Sequence, residues 1–324
     1  MTPPLLPEHG GPDDGPPPAF DFSTNASPLG PPPALLGAVQ AADRRHYPDP
    51  GYRELRRRLG GDLALPTAGG AEGIRRLTLA AMLAGHREVW VPQPGFGDYA
   101  LAALALNLAV KPYAAPIDIR PTAPALVWIC EPCNPTGASE AAWPALDGHF
   151  VAVDRAYEPL RLQGDAPQLP PGAWQLHCPN KALGLTGVRA GYLLAPEQDE
   201  VWTHALSLAP SWVLSAEGVA MLMHWLSDDT QAWLSNTRRQ LRDWKAQQRA
   251  LLADLDWQQH PSCTHFWLAR PPRADMAPRL RERGIRVRDA ASFGLPGWVR
   301  VSAQPPAAQQ ALQQALIEIE SEDA

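Results

Sequence analysis

Five short apolar runs, at residues 88–91, 125–129, 150–153, 174–177 and 191–194, recur along the middle of this chain, and two stretches with helical periodicity, 72–83 and 99–106, fall among them. Parallel strands can be joined only by long crossovers, so alternation of this kind predicts βαβ units around a mainly parallel sheet. The expected fold class is therefore α/β, a mixed but mainly parallel sheet flanked by helices. Two shorter helices are expected before it, at 33–45 with proline in the first turn and at 52–59. After residue 196 the texture changes. A long arginine- and glutamine-rich amphipathic helix at 233–255 leads into strands at 265–269, 285–288 and 298–301 and a closing helix at 306–320, which together read as a smaller α+β unit. With 324 residues there is chain enough for one large and one small domain. The expected division is an N-terminal arm at 1–37 packing with the small domain, a large domain at 38–200 and a small domain at 201–324.

Composition narrows the function classes. Acidic residues outnumber basic ones, 34 to 28, for a net charge of −6, so no nucleic-acid partner is expected. No apolar run approaches the ~20 residues of a membrane span, so no membrane partner is expected. No basic stretch followed by an apolar one opens the chain, and the cytoplasm is the expected location. Prolines, 37 in all, gather in the first 33 residues and between elements, as in an extended arm and stiff loops. The four cysteines, Cys130, Cys133, Cys178 and Cys263, are too few and scattered for a disulfide framework. Cys130-Glu-Pro-Cys133 reads as a redox pair or as two packed thiols, and the packed reading is the expected one. No metal site is expected.

Three segments carry the chemistry. His177 through Tyr192 places Lys181 and Arg189 eight residues apart around a glycine-punctuated turn; Cys133-Asn134-Pro135-Thr136-Gly137 and Asp154-Arg155-Ala156-Tyr157 lie upstream. Together they supply what pyridoxal 5'-phosphate (PLP) needs: an amine for a Schiff base, a carboxylate for the pyridinium nitrogen, donors for the ring oxygen and a cation for the phosphate. The chain has three lysines, and neither Lys111 nor Lys245 has such neighbours. Asp154 ends an apolar run, at the carboxyl edge of a strand where α/β proteins place ligands. Tyr157 and Asn134 can reach the ring oxygen. Gly70 and Ala71 open a helix whose N–H groups can approach a phosphate, and Phe96 can stack on the ring or serve the core.

These segments resemble fold-type I PLP enzymes of the class I/II aminotransferase group, and within it the branch holding histidinol-phosphate aminotransferase and L-threonine-O-phosphate decarboxylase. His9-Gly10-Gly11, Asp21 through Gly30, Pro94 through Tyr99 and Trp298-Val299-Arg300-Val301 are similar to the decarboxylase. The resemblance implies Lys181, Asp154 and Tyr157 as catalytic groups. It implies Gly70, Ala71, Phe96, Asn134 and Arg189 as cofactor ligands, with Tyr47 reaching the cofactor phosphate of a neighbouring subunit in a homodimer with a shared active site. It implies His9, Gly10, Asn25 and Arg288 for the phosphate of a small phosphorylated amino-acid substrate and Arg300 for its carboxylate. Arg155, Cys178 and Asn180 depart from the family pattern, and a thiol is a poor phosphate donor, so weaker cofactor binding is implied. The expected reaction is decarboxylation of O-phospho-L-threonine to (R)-1-amino-2-propanol phosphate in cobalamin biosynthesis. The alternatives are an aminotransferase of histidinol phosphate or related donors, and a non-catalytic protein on the same fold.

Overall fold

The structure is a computed structural model describing residues 10–322, so His9 lies outside the described residues. Strand β1 (Phe20–Asp21) and helices α1 (Pro33–Gln40) and α2 (Arg53–Leu59) precede the central sheet. Then come β2 (Ala64–Thr67), α3 (Gly70–Leu83), β3 (Glu88–Pro92), α4 (Asp98–Leu104), β4 (Ala109–Tyr113), β5 (Ala125–Cys130), β6 (Phe150–Asp154), β7 (Trp174–His177) and β8 (Gly191–Leu194). These strands form one sheet in the order β2-β8-β7-β6-β5-β3-β4. Neighbours run parallel except β8, which is antiparallel to both β2 and β7. The class is α/β, as expected.

Strands β5 and β6 show why the middle of this sheet reads as near-continuous apolar sequence. Every residue of both is buried. Side chains alternate between faces: Leu126, Trp128, Phe150 and Ala152 enter one core, Val127, Ile129, Val151 and Val153 the other. Burial on both faces fixes the register, which sets Cys130 beside Asp154 at the carboxyl rim.

Helices α5 (Glu200–Ser207), α6 (Ala216–Trp225) and α7 (Asp228–Asp254) follow, then β9 (Gln258–Gln259), β10 (Phe266–Arg270), α8 (Met276–Glu282), β11 (Ile285–Arg286), β12 (Arg288–Asp289), β13 (Val299–Ser302) and α9 (Pro306–Ser321). A second sheet has the order β12-β13-β10-β9. The run expected as one strand at 285–288 is divided: Ile285–Arg286 pairs in parallel with Phe20–Asp21 of the arm, while Arg288 and Asp289 join β13. The arm is thus held by the C-terminal segment, with Phe22 fully buried and its N–H donating to Arg286 O at 2.8 Å. The first helix stops at Gln40, short of residue 45. The long helix starts at Asp228, not 233, because Ser227 Oγ accepts from Thr230 N at 3.3 Å and caps it.

A buried ionic cluster joins the central sheet to the segment before β10. Arg161 reaches Glu131 at 2.6 Å and Glu158 at 3.0 Å, and its backbone bridges Thr264. No helix among the described residues is long and apolar enough to cross a membrane.

Candidate active site

The carboxyl ends of β2, β5, β6 and β7 open on a cavity of about 520 Å³. Lining it are Lys181 and Arg189 from the segment between β7 and β8, Asp154 from the end of β6, Asn134 after β5, Gly70 and Ala71 at the start of α3, Phe96, and Tyr157. Gly10 and Asn25 enter from the arm and Arg300 from β13. Of the residues expected at the site, the structure therefore gathers all of these into one hollow. Two others stand outside its lining. Tyr47 is 77% exposed and stacks on Trp212, 4.3 Å between ring centroids. Arg288 lies opposite Arg300 on the neighbouring strand, but its guanidinium turns to Ser292 Oγ at 2.6 Å and the Asp289 carbonyl at 2.8 Å.

Asp154 is buried and accepts from Tyr99 Oη at 2.7 Å and from Ala156 N at 2.9 Å. Burial raises its pKa, while Lys181 and the Tyr99 hydroxyl pull in the opposite direction. Tyr99 is fully buried and stacks on Trp128, 5.0 Å between centroids. Sequence reading missed its role: Tyr99 ends the segment Pro94 through Tyr99 noted above, but nothing there marks it as a partner of Asp154, to which helix α4 carries it.

Lys181 Nζ lies 5.5 Å from the centre of the Tyr157 ring. Burial opposes its charge, but the fields of Cys178, Tyr157 and Asp154 outweigh that and its pKa is raised. The lysine backbone is held too, its carbonyl accepting from Ser27 N of the arm at 2.8 Å. Tyr157 packs edge-on against Phe266, and burial raises its phenol pKa. Arg300 is buried; it donates to Asn134 Oδ1 at 2.5 Å and to Ser23 O at 2.7 Å, and burial draws it down to about 10.

The opposite corner is a cradle made by missing side chains. A Cβ on Gly69 would lie 2.7 Å from Arg189 Nη2, and one on Gly70 would lie 3.0 Å from Cys178 Sγ. Gly69 also has φ +86°, a conformation side chains rarely adopt. The first N–H groups of α3 have no intrahelical acceptor and face this corner. A phosphate fits here, between the helix start and Arg189, with the Lys181 amine and the Asp154 carboxylate farther along the same hollow. Cys178 is a poor member of the cradle: burial pushes its thiol up to about 11, so it stays protonated.

The Cys130–Cys133 pair holds free thiols beneath the site, with Cys130 Sγ accepting from Asn134 N at 3.4 Å. Among the described residues no cluster of His, Cys, Asp and Glu could hold a metal ion.

A family described as aminotransferase class I and II matches residues 20–319, and the chain belongs to it. PLP is the cofactor that this family and the geometry of the hollow have in common. Among relatives, the histidinol-phosphate aminotransferase of Halorubrum lacusprofundi is 30% identical, over 90% of this chain and 85% of its own length. Among solved structures, L-threonine-O-3-phosphate decarboxylase from Porphyromonas gingivalis superimposes with a TM-score of 0.74 at 21% identity, over 93% of this chain and 99% of that one. Histidinol-phosphate aminotransferase from Sinorhizobium meliloti, solved in complex with pyridoxal-5'-phosphate, gives 0.77 at 23% identity, over 95% and 92%. At those identities the two structures speak to fold alone: fold-type I.

Proposed function

We propose that this chain is a PLP-dependent decarboxylase of O-phospho-L-threonine, yielding (R)-1-amino-2-propanol phosphate for cobalamin biosynthesis. The observation that carries the reading is the N-terminal arm, which enters the cavity beside Arg300. Gly10 packs so closely that a Cβ there would meet Ser23 O at 2.5 Å and Arg300 Nη2 at 3.1 Å, and Gly11 N donates to Ser23 Oγ at 3.3 Å. An arm seated this way sets Gly10 and Asn25 in the cavity wall with Arg300, which suits a small substrate bearing two anionic groups.

When bound, PLP supplies an electron sink for the charge left at the substrate's Cα. Lys181 would anchor it, Asp154 would keep its ring nitrogen protonated, Asn134 and Tyr157 would hold the ring oxygen, Phe96 would cover a face, and Gly70, Ala71 and Arg189 would hold the phosphate. The chain's own groups then decide which bond breaks, because the bond perpendicular to the ring is the labile one. Arg300, fixed by Asn134 and Ser23, would grip the substrate carboxylate and set that angle. His9, Gly10 and Asn25 would receive the substrate phosphate, with Arg288 behind them. Lys181, its amine freed when the substrate's amine takes its place, would be the group that returns a proton to Cα. A second copy of the chain would cover the exposed Tyr47–Trp212 pair in a homodimer, and the cytoplasm is the proposed location.

Histidinol-phosphate aminotransferase relatives at 27–30% identity favour a second reading, amine transfer from histidinol phosphate. Incubation with phosphothreonine decides between them. Release of CO2, abolished when residues 1–18 are deleted, supports the decarboxylase. No CO2, together with keto-acid-dependent amine transfer from histidinol phosphate, refutes it.

A further inference from the structure

A second cavity, about 560 Å³, lies where α7 faces the segment before β10, away from the cofactor hollow. Arg242, Lys245 and Arg249 line it, against the single carboxylate of Asp243. Spacings of three and four put these cations on one face of the helix, where like charges repel. Such a stripe is unexpected in a chain of net charge −6. No ion pair relieves it, since none of the three lies within 4 Å of an acidic oxygen among the described residues.

Their hydrogen bonds go to neutral carbonyls instead. Arg242 Nε donates to Leu162 O at 2.8 Å, Lys245 Nζ to Ser262 O at 2.6 Å and Thr264 O at 2.7 Å, and Arg249 Nη1 to His260 O at 2.8 Å. These bonds fix the three heads along one wall without neutralising them. Lys245 is only 4% exposed, and an ammonium has three donors. Ser262 O and Thr264 O are the two acceptors Lys245 has among the described residues; its Nζ also lies 5.9 Å from the centre of the Trp267 ring, and the residue lines the cavity. Burial and the field of Arg249 draw Lys245 down to about 8, the direction expected of a cation held without a counter-charge.

We propose that this pocket is a binding site for a compact oxyanion of two or more negative charges, a phosphate ester, pyrophosphate or polycarboxylate. The anion would bridge the free guanidinium donors of Arg242 and Arg249 and accept the remaining proton of Lys245. Ser262, on the far wall, also donates to Phe266 O and presses on Gly137, where a Cβ would lie 2.1 Å from its Oγ. The pocket thus shares a wall with the turn that carries Asn134. The inference stands whichever reaction the cofactor site performs.

The test is calorimetric titration of the PLP-loaded protein with inorganic pyrophosphate and, separately, citrate, at constant ionic strength. Arg300→Gln serves to weaken anion binding in the cofactor hollow at its proposed carboxylate clamp, and the α7 variants report on the second pocket directly. Binding should persist in Arg300→Gln and weaken about tenfold or more in Arg242→Gln and in Arg249→Gln, each of which loses a charge-assisted contact. Both variants should keep the visible band of bound cofactor. Tighter binding of pyrophosphate than citrate identifies the ligand as a phosphate; the reverse identifies a carboxylate. The proposal is overturned if neither anion binds, if chloride at equal ionic strength reproduces the signal, if Arg300→Gln alone abolishes it, or if the α7 variants bind as tightly as the parent.

Discussion

Replacing Tyr99 by phenylalanine isolates a single hydroxyl beneath the cofactor hollow. The ring keeps its stack on Trp128 and its edge contact with Phe96, so what is lost is the hydroxyl's 2.7 Å bond to Asp154 Oδ2 and its contact with the Cys130 thiol. A hydrogen bond to a charged group contributes about 1.5–3 kcal/mol. Asp154 would be left with the Ala156 N–H as its one remaining hydrogen-bond donor. The sign with pH follows from its raised pKa. A carboxyl raised in the folded state contributes stability that is complete below the unfolded pKa and drains away as pH climbs through the folded one. Tyr99 restrains that rise by solvating the ionised form; phenylalanine removes the restraint. Cofactor-free Tyr99→Phe should therefore unfold about 3 °C below the parent near pH 8, for a loss of about 2 kcal/mol in a chain of 324 residues. The gap should narrow near pH 4, where the carboxyl takes up its proton. Thermal unfolding followed by far-ultraviolet circular dichroism measures both. Equal melting temperatures at both pH values, or a gap that widens in acid, would refute the argument.

Gly69→Ala should cost about 1–3 kcal/mol, from the φ of +86° and the encounter with Arg189, and should weaken PLP binding in a spectroscopic titration. Cys178→Ser should tighten PLP by about three- to tenfold, since a hydroxyl donates where the protonated thiol does not; unchanged affinity would show that the cradle ignores this position. Lys181→Ala should abolish the visible band of the bound cofactor, and a retained band would exclude the lysine as its anchor. Arg161→Met should destabilise by about 3–5 kcal/mol in denaturant unfolding, because Glu131 would be stranded beneath the surface, and adding Glu131→Gln should recover much of the loss.

Much of the central sheet was legible because β5 and β6 are buried on both faces, which makes them unbroken apolar runs. The missed strands β2 and β4 are the two edges of that sheet, and each contains a proline, Pro66 and Pro112. Proline is tolerated at an edge, where one side of the ladder is unused, yet it breaks the sequence signal for a strand. Helices α5 and α6 were missed for different reasons: α5 is amphipathic but only eight residues long, while α6 is weakly periodic and has Gly218 in its first turn, where Ser215 Oγ accepts its N–H. At the site, Lys181, Asp154, Asn134 and Arg189 could be read because each sits in a local motif. The role of Tyr99 could not, since it depends on a side-chain contact with Asp154, 55 residues away. The partners of Arg288 were equally invisible, among them Ser292 Oγ, the Asp289 carbonyl and the Phe293 ring.

Among the seven strands of the central sheet, β8 alone is reversed. Because of that reversal, residues 178–190 leave one rim and come back to it. A strand laid the usual way would have required a descent through the full height of the sheet, about 13 Å for four residues, stranding the arginine on the opposite side from the amine. The backward strand makes one short loop a ruler between the covalent anchor and the phosphate clamp. Lengthening that ruler would uncouple the two ends of the cofactor without altering a single group that touches it.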